Sequence, residues 1–237
     1  MVLARVRKLE RRELIWLGVG LGACVLLFLF LTLAGEVMEG DTKALDTRIL
    51  RALRDPVDPS KPIGADWIEP VLFDLTALGG PTVLSLVVLA VIGFLVLQTR
   101  YRTAAVIFLT SASGAIASMV LKHTFERPRP SIVPHLRQVV SSSFPSGHAM
   151  QSAIVYLTLA AMLMRVAERR LTKLYILAVA TLLTFLVGAS RVYLGVHYPT
   201  DVVGGWILGF IWASLCWLAA QRFEVMARVK AERKKAQ

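Results

Sequence analysis

Long apolar stretches separated by charged segments define the pattern of this 237-residue chain. The first, residues 14–35, has no charged side chain and follows a basic segment. A helix of about 20 apolar residues spans the hydrocarbon core of a bilayer, whereas a cleavable signal peptide has a shorter apolar region. We therefore interpret this stretch as an uncleaved span. Similar stretches lie within residues 68–98 and at 103–121, 149–164, 174–189 and 202–220. The pattern predicts an all-α, polytopic membrane protein with six transmembrane helices.

The polar segment between the first two spans, residues 36–67, contains a shorter helical signal. Leu45, Ile49 and Leu53 recur every four residues among charged positions, which places them on one face of a helix over residues 42–53. We expect this amphipathic helix to lie at the membrane surface. It ends before three prolines, Pro56, Pro59 and Pro62.

The composition supports a membrane protein. Hydrophobic residues make up 56% of the chain and charged residues 18%, against about 25% charged in soluble domains. These values exclude a disordered chain and an ordinary soluble domain. The two cysteines, Cys24 and Cys216, lie in apolar stretches without the spacing of a disulfide framework or a metal site. We interpret both as small buried side chains.

The charge distribution predicts the topology. Lys and Arg number 27 against 16 Asp and Glu, which gives a formal net charge of +11. Six spans place both termini on one side, and that side holds 17 of the 27 basic residues. The positive-inside rule makes it cytoplasmic. The excess charge then reflects topology and attraction to anionic lipids, so no nucleic-acid partner is predicted.

This topology divides the chain into three parts. Residues 1–13 form a cytoplasmic tail, and residues 222–237 form a basic, helical cytoplasmic tail. Residues 14–221 form a six-helix membrane domain with its catalytic core at about 70–220.

Residues suited to binding an anion concentrate where spans three to six reach the outer face. Lys122, Arg129 and Arg191 are cations, and an arginine fork matches phosphate oxygens in a bidentate manner. Ser146 and Gly147 precede the fourth span, so backbone N–H groups at that helix N-terminus offer a further anion site.

Two histidines in the same region supply reactive groups. His148 and His197 can act as a nucleophile and as an acid or base, and Asp201 can hold one ring nitrogen of His197. With the cations, they predict phosphoryl transfer by a histidine nucleophile. The cations would neutralise charge as metal ions do elsewhere, so neither a metal nor a cofactor is predicted.

Neighbouring polar side chains have simpler interpretations. Arg127, taken alone, is an interfacial cation whose head snorkels towards water. Lys122 has the alternative of pairing with Glu126 one helical turn later. We interpret His123 and His135 as interface or loop residues.

The three outward segments resemble the three-part signature of the phosphatidic acid phosphatase type 2 superfamily, which includes lipid phosphate phosphatases. The pattern is K-x6-R-P, P-S-G-H and S-R-x5-H-x3-D. The matching residues are Lys122, Arg129-Pro130, Pro145-Ser146-Gly147-His148, Ser190-Arg191, His197 and Asp201. The resemblance spans about residues 70–220.

The resemblance implies a role for each matching residue. His197 corresponds to the nucleophile that forms a phosphohistidine, and Asp201 to the residue that orients it. His148 corresponds to the acid that protonates the leaving oxygen and later activates water. The implied phosphate clamp comprises Lys122, Arg129, Arg191, Ser146 and Gly147.

The resemblance also implies a bacterial inner-membrane phosphatase whose active site lies at the outer face. Its substrate would be a lipid phosphate or pyrophosphate, such as phosphatidylglycerophosphate, phosphatidate, undecaprenyl pyrophosphate or lipid A phosphate. Two alternatives stay open at this stage: a lipid-to-lipid phosphotransferase with the same pocket, and a transporter that binds phospholipid head groups without chemistry. The pattern indicates no oligomeric state.

Overall fold

The computed structural model describes residues 11–136 and 141–235. Within these ranges the chain forms eight helices and no β-strand, which confirms the all-α prediction. Most of the predicted N-terminal tail and the last two residues of the chain lie outside the described residues. The helices are α1 (Arg11–Glu39), α2 (Lys43–Ala52), α3 (Ile68–Ala77), α4 (Pro81–Leu97), α5 (Tyr101–Phe125), α6 (Gly147–Val166), α7 (Arg170–Tyr193) and α8 (Pro199–Lys235).

Five of these helices, α1 and α5 to α8, are long and apolar enough to cross a membrane. Helices α3 and α4 add a sixth span if they form one broken span, since they meet at 49°. The break between them contains Gly79 and Gly80, and glycine has the lowest helix propensity of any residue except proline. It also contains Pro81, which suits the first turn of α4. Helix α8 continues past its apolar part to Lys235, as predicted for the C-terminal tail.

Close packing of α6 against α8 sets their N-termini side by side. A Cβ atom at Gly205 would lie 2.6 Å from the carbonyl oxygen of Ser146, and one at Gly209 would lie 2.5 Å from the Cβ of Ala153. Two glycines four residues apart on one helix allow a second helix to approach this closely. The crossing fixes where α6 begins.

Aromatic packing attaches α1 to the segment before α6. Phe144 is fully buried, and its ring stacks on that of Phe30 at a centroid distance of 5.8 Å. The ring of Phe125, at the end of α5, meets it edge-on at 5.0 Å. Three parts of the chain thereby hold the backbone on which the P-S-G-H segment lies.

The predicted helix after the first span is present as α2, and its buried side carries an aspartate. Leu45 is 56% exposed, whereas Asp46 and Leu50 are fully buried. The side of α2 that is buried in the protein is therefore displaced by one residue from the side that carries Leu45. Asp46 turns inward because Arg127 provides an ion-pair partner 2.8 Å away.

Candidate active site

Four helix ends meet at one end of the bundle. Helix α5 ends where Glu126 adopts a left-handed conformation with φ of 44°. Helix α7 ends two residues after Arg191, and α8 begins two residues after His197. Helix α6 begins directly after Ser146, whose N–H donates to the carbonyl oxygen of Asp201 at 2.9 Å. All three segments singled out in the sequence are therefore neighbours.

His197 and Asp201 form a buried pair in the first turn of α8 and the residues before it. His197 is 1% exposed, and its Nδ1 lies 3.3 Å from Oδ2 of Asp201. The same oxygen accepts the N–H of Tyr198 at 2.8 Å and the hydroxyl of Ser143. These donors fix the carboxylate, and the carboxylate fixes the imidazole. The sequence does not identify Ser143 as part of the site, because only its position next to Phe144 points to that role.

The hydrogen bonds of His197 determine its tautomer. Nη1 of Arg129 lies 3.1 Å from Nε2 of His197. A guanidinium is only a donor, so Nε2 must accept, and the ring proton lies on Nδ1 beside Asp201. Burial lowers the pKa of His197 to about 3, although Asp201 opposes the shift. The imidazole is therefore neutral near pH 7, with its Nε2 lone pair directed towards a cation.

Two of the predicted phosphate-binding cations hold the segment before α6. Arg129 donates from Nε to the carbonyl oxygen of Ser141 at 2.7 Å and from Nη2 to its hydroxyl at 3.1 Å. Lys122 donates to the carbonyl oxygen of Ser142 at 2.7 Å. A surface cavity of about 590 Å³ reaches Lys122 and Arg129. His197 does not line this cavity and is buried.

The third cation, Arg191, is 2% exposed near the end of α7. Its Nη1 donates to the hydroxyl of Thr76 on α3 at 3.0 Å. The positive charge of Arg191 acts on His197 together with that of Arg129 and opposes protonation of the ring. A burial this deep is expensive for a charge and marks a functional position.

His148 occupies the first turn of α6, against the break between α3 and α4. A Cβ atom at Gly80 would lie 3.8 Å from Nε2 of His148, and one at Gly79 would lie 3.4 Å from its Cβ. Both distances are about those of ordinary van der Waals contact. The glycines that break the second span therefore lie directly beside this side chain.

Ser146 and Gly147 form the N-terminus of α6. Ser146 is fully buried and is the N-cap, since its hydroxyl accepts the N–H of Ala149 at 3.5 Å. Gly147 lies beside Lys122, because a Cβ there would be 3.4 Å from Cε of the lysine. The helix N-terminus and the Lys122 ammonium thus border the same space, as an anion site requires.

The interpretation of Arg127 as a snorkelling cation is wrong. Its side chain is 10% exposed and lies between two buried carboxylates. Nη1 is 2.5 Å from Oδ1 of Asp201, and Nη2 is 2.8 Å from Oδ2 of Asp46. Its guanidinium also stacks over the ring of Tyr198 at 4.3 Å. Burial lowers the pKa of Arg127, but the two carboxylates outweigh it and raise the pKa overall.

Asp46 links α2 to this site. Besides Arg127, it accepts the N–H of Thr200 at 3.1 Å and the hydroxyl of Thr200 at 2.6 Å. Asp46 therefore caps the start of α8, just before Asp201. No motif in the sequence indicates this role, because Asp46 lies far from the signature among several other acidic residues.

The remaining polar side chains have local contacts. Lys122 binds Ser142, whereas its alternative partner Glu126 is exposed. His123 is also exposed. His135 lies in a loop, where its Nε2 is 2.5 Å from the carbonyl oxygen of Pro130.

Comparison with known proteins identifies the family of this chain. The family model of the PAP2 superfamily matches residues 102–224. The chain belongs to this superfamily. It is 32% identical over 194 residues to phosphatidylglycerophosphatase B of Bacillus subtilis, which covers 79% of this chain and 89% of that relative. Over a shorter stretch of 67 residues, 28% of each chain, it is 40% identical to an undecaprenyl-diphosphatase of Sulfolobus acidocaldarius.

Two solved structures share the fold. The crystal structure of a transmembrane PAP2-type phosphatidylglycerolphosphate phosphatase from Bacillus subtilis matches with a TM-score of 0.75 at 30% identity, over 84% of this chain and 96% of that one. The structure of Aquifex aeolicus LpxE matches with a TM-score of 0.53 at 26% identity, over 72% and 92%. The family resemblance of the three sequence segments is thereby confirmed.

Proposed function

We propose that this chain is a membrane lipid phosphatase that hydrolyses a phosphate monoester or pyrophosphate through a phosphohistidine on His197. The observation that carries the proposal is the neutral His197 with its proton on Nδ1 and its Nε2 lone pair beside Arg129. That tautomer is the one a nitrogen nucleophile needs. Asp201 would stabilise the positive charge that the ring gains when Nε2 bonds to phosphorus.

Both chemical steps then have a named proton carrier. His197 Nε2 attacks phosphorus while the bond to the leaving oxygen breaks, and His148 gives that oxygen a proton. In the second step His148 removes a proton from water, the water oxygen attacks phosphorus, and the phosphorus–nitrogen bond breaks. Lys122, Arg129 and Arg191 would hold the phosphoryl oxygens, together with the Gly147 amide and Ser146.

The favoured substrate is phosphatidylglycerophosphate. The support is the extent of similarity to the Bacillus subtilis phosphatase, which covers most of both chains. The undecaprenyl-diphosphatase matches over a much shorter segment. A phosphate-release panel of phosphatidylglycerophosphate, phosphatidate, undecaprenyl pyrophosphate and lipid A phosphate tests the choice, and preference for another member would overturn it. Phosphate appearing on an added lipid acceptor would instead identify a phosphotransferase.

A trapping experiment tests the roles of the two histidines. With p-nitrophenyl phosphate, whose leaving group needs little protonation, His148→Ala should complete the first step and accumulate an acid-labile, alkali-stable adduct. His197→Ala should form none. An adduct in His197→Ala, or none in either active-site variant, would refute the assignment. A pure transporter would release no phosphate at all.

We also propose that the chemistry needs no metal ion and that the site faces outward. Three cations supply the positive charge that Mg²⁺ gives elsewhere, so activity should persist in excess EDTA and vanadate should inhibit. Loss of activity in EDTA that added metal restores would contradict this.

The outward orientation rests on six spans, with α3 and α4 forming one, and on the basic residues at the opposite end. Reporter fusions at the C-terminus and within residues 131–143 test it. We expect a cytoplasmic signal from the C-terminus and an external one from the loop. A cytoplasmic signal from the loop would reject it.

A further inference from the structure

A second cavity lies at the end of the bundle opposite the candidate active site. It has a volume of about 960 Å³ and is enclosed mainly by α5, α6, α7 and α8. This is larger than the cavity beside Lys122 and lies within the size range of sites for bound ligands, about 300–1,000 Å³. The two cavities lie at opposite ends of helix α5. Arg102 borders one cavity and Lys122 borders the other, and these residues are about 30 Å apart along the helix at 1.5 Å per residue.

Apolar side chains form most of the wall of this cavity. They come from segments that are apolar enough to cross a membrane, so the wall lies at the depth of the lipid tails. Representative residues are Val106, Leu157, Met162, Leu177, Phe210 and Trp217. Such a wall suits a hydrocarbon chain and does not suit a water-soluble metabolite.

Three cations at the helix ends border the same cavity. Arg102 lies in the first turn of α5, Arg165 in the last turn of α6 and Lys173 in the first turn of α7. These positions correspond to the polar interface, where basic side chains attract anionic lipid head groups. The occupant must therefore combine a negative head group with an apolar chain.

We propose that this cavity binds one anionic phospholipid from the leaflet opposite the active site, with an acyl chain inside and its phosphate at Arg102, Arg165 and Lys173. The site is separate from the proposed phosphatase site, and the proposal does not depend on that activity.

Native mass spectrometry of the full chain in mild detergent tests the proposal. The probes are phosphatidylglycerol, which is anionic, and phosphatidylcholine, which has no net charge. Wild type should retain one phosphatidylglycerol in preference to phosphatidylcholine. The triple variant Arg102→Gln/Arg165→Gln/Lys173→Gln should lose that preference, with affinity for phosphatidylglycerol falling about 10-fold or more.

A matched control removes the same charge at the same end of the bundle. Arg100, Arg169 and Arg170 are exposed and do not line the cavity, so the triple Gln variant of these three should bind as wild type within about twofold. A second test fills the cavity from α6 with Ala161→Trp, which should reduce retention of phosphatidylglycerol while the thermal unfolding temperature in detergent reports folding.

Three outcomes would overturn the proposal. They are equal binding of the two lipids by wild type, equal losses in the two triple variants, and undiminished binding by a folded Ala161→Trp protein. The first two would indicate only non-specific attraction to basic helix ends, and the third would place the lipid outside the cavity.

Discussion

The ion pair between Arg127 and Asp46 should control the position of the nucleophile although neither residue belongs to the predicted site. Arg127 joins Asp46 to Asp201, and both carboxylates are fully buried. Removing one partner of a buried pair leaves an uncompensated charge, which typically costs about 3–5 kcal/mol. Arg127→Gln leaves two such carboxylates, so we expect at least this loss in the free energy of unfolding.

Asp46→Asn is the milder change and the more informative one. The amide oxygen can still accept the N–H of Thr200, whereas the charge opposite Arg127 is lost. We expect kcat to fall about 10- to 100-fold, the range seen when an outer partner of a metal-binding histidine is removed. KM should change little, because Asp46 contacts no residue of the proposed phosphate clamp. Arg127→Gln should lower kcat further, since it contacts Asp201 directly.

A double-mutant cycle separates positioning from general destabilisation. Stability is measured by thermal unfolding in detergent and activity by phosphate release. The double variant Arg127→Gln/Asp46→Asn should be more stable than the sum of the single losses predicts, with a coupling energy of about 1–3 kcal/mol. Asp41→Asn, which changes an exposed acid just before α2, is the matched control and should equal wild type. If Asp46→Asn keeps kcat within twofold of that control, the pair does not position Asp201.

Three further changes test the site and its support. Arg191→Lys keeps the charge but loses the bidentate fork, so kcat should fall at least about 10-fold in protein that is still folded; near-normal turnover would mean that Arg191 contributes only its charge. Gly205→Ala places a methyl group against the Ser146 carbonyl oxygen and should lower the unfolding temperature and activity, whereas Gly93→Ala, with nothing within 4 Å, should not; equal effects would refute the close crossing. Because the pKa of His197 is lowered in the folded protein, its imidazole in the unfolded chain takes up a proton at a higher pH, below about 6.5. The free energy of unfolding should therefore decrease by roughly 1.4 kcal/mol for each pH unit between about pH 6.5 and about pH 3. His197→Asn should remove this part of the slope, and identical slopes would contradict a neutral buried ring.

The helices were predictable because a bilayer imposes their length and composition. Residues 14–35 and the other apolar stretches must satisfy their backbone groups internally, which leaves a helix as the only choice. The break before α4 was also readable, since Gly79, Gly80 and Pro81 interrupt an otherwise apolar run. The sequence does not indicate whether α3 and α4 cross the membrane as one span, because that depends on their angle.

The signature predicted which residues gather but not what holds them. The partners of Arg127 lie 74 and 81 residues away. The spacing from Lys122 selects Arg129 for the signature, but no local feature predicts carboxylate partners for Arg127. Both precede a proline, and both follow the end of α5. Only the packing of α2 against α8 decides that one arginine pairs with carboxylates while the other reaches His197. The apolar spacing on α2 does not reveal the buried Asp46, because hydrophobicity ranks a paired aspartate as an exposed residue.

The signature residues therefore do not make the site by themselves. Residues 102–224 contain all of the signature residues. Three parts of the site nevertheless contact a helix that precedes this range. Phe30 of α1 packs on Phe144, Asp46 of α2 pairs with Arg127, and the hydroxyl of Thr76 on α3 accepts from Arg191. Two of these three contacts satisfy buried guanidinium groups, and a buried charge is tolerated only when it has such partners. The first three helices thus support the site through one aromatic and two polar contacts, although its recognisable residues lie elsewhere in the chain.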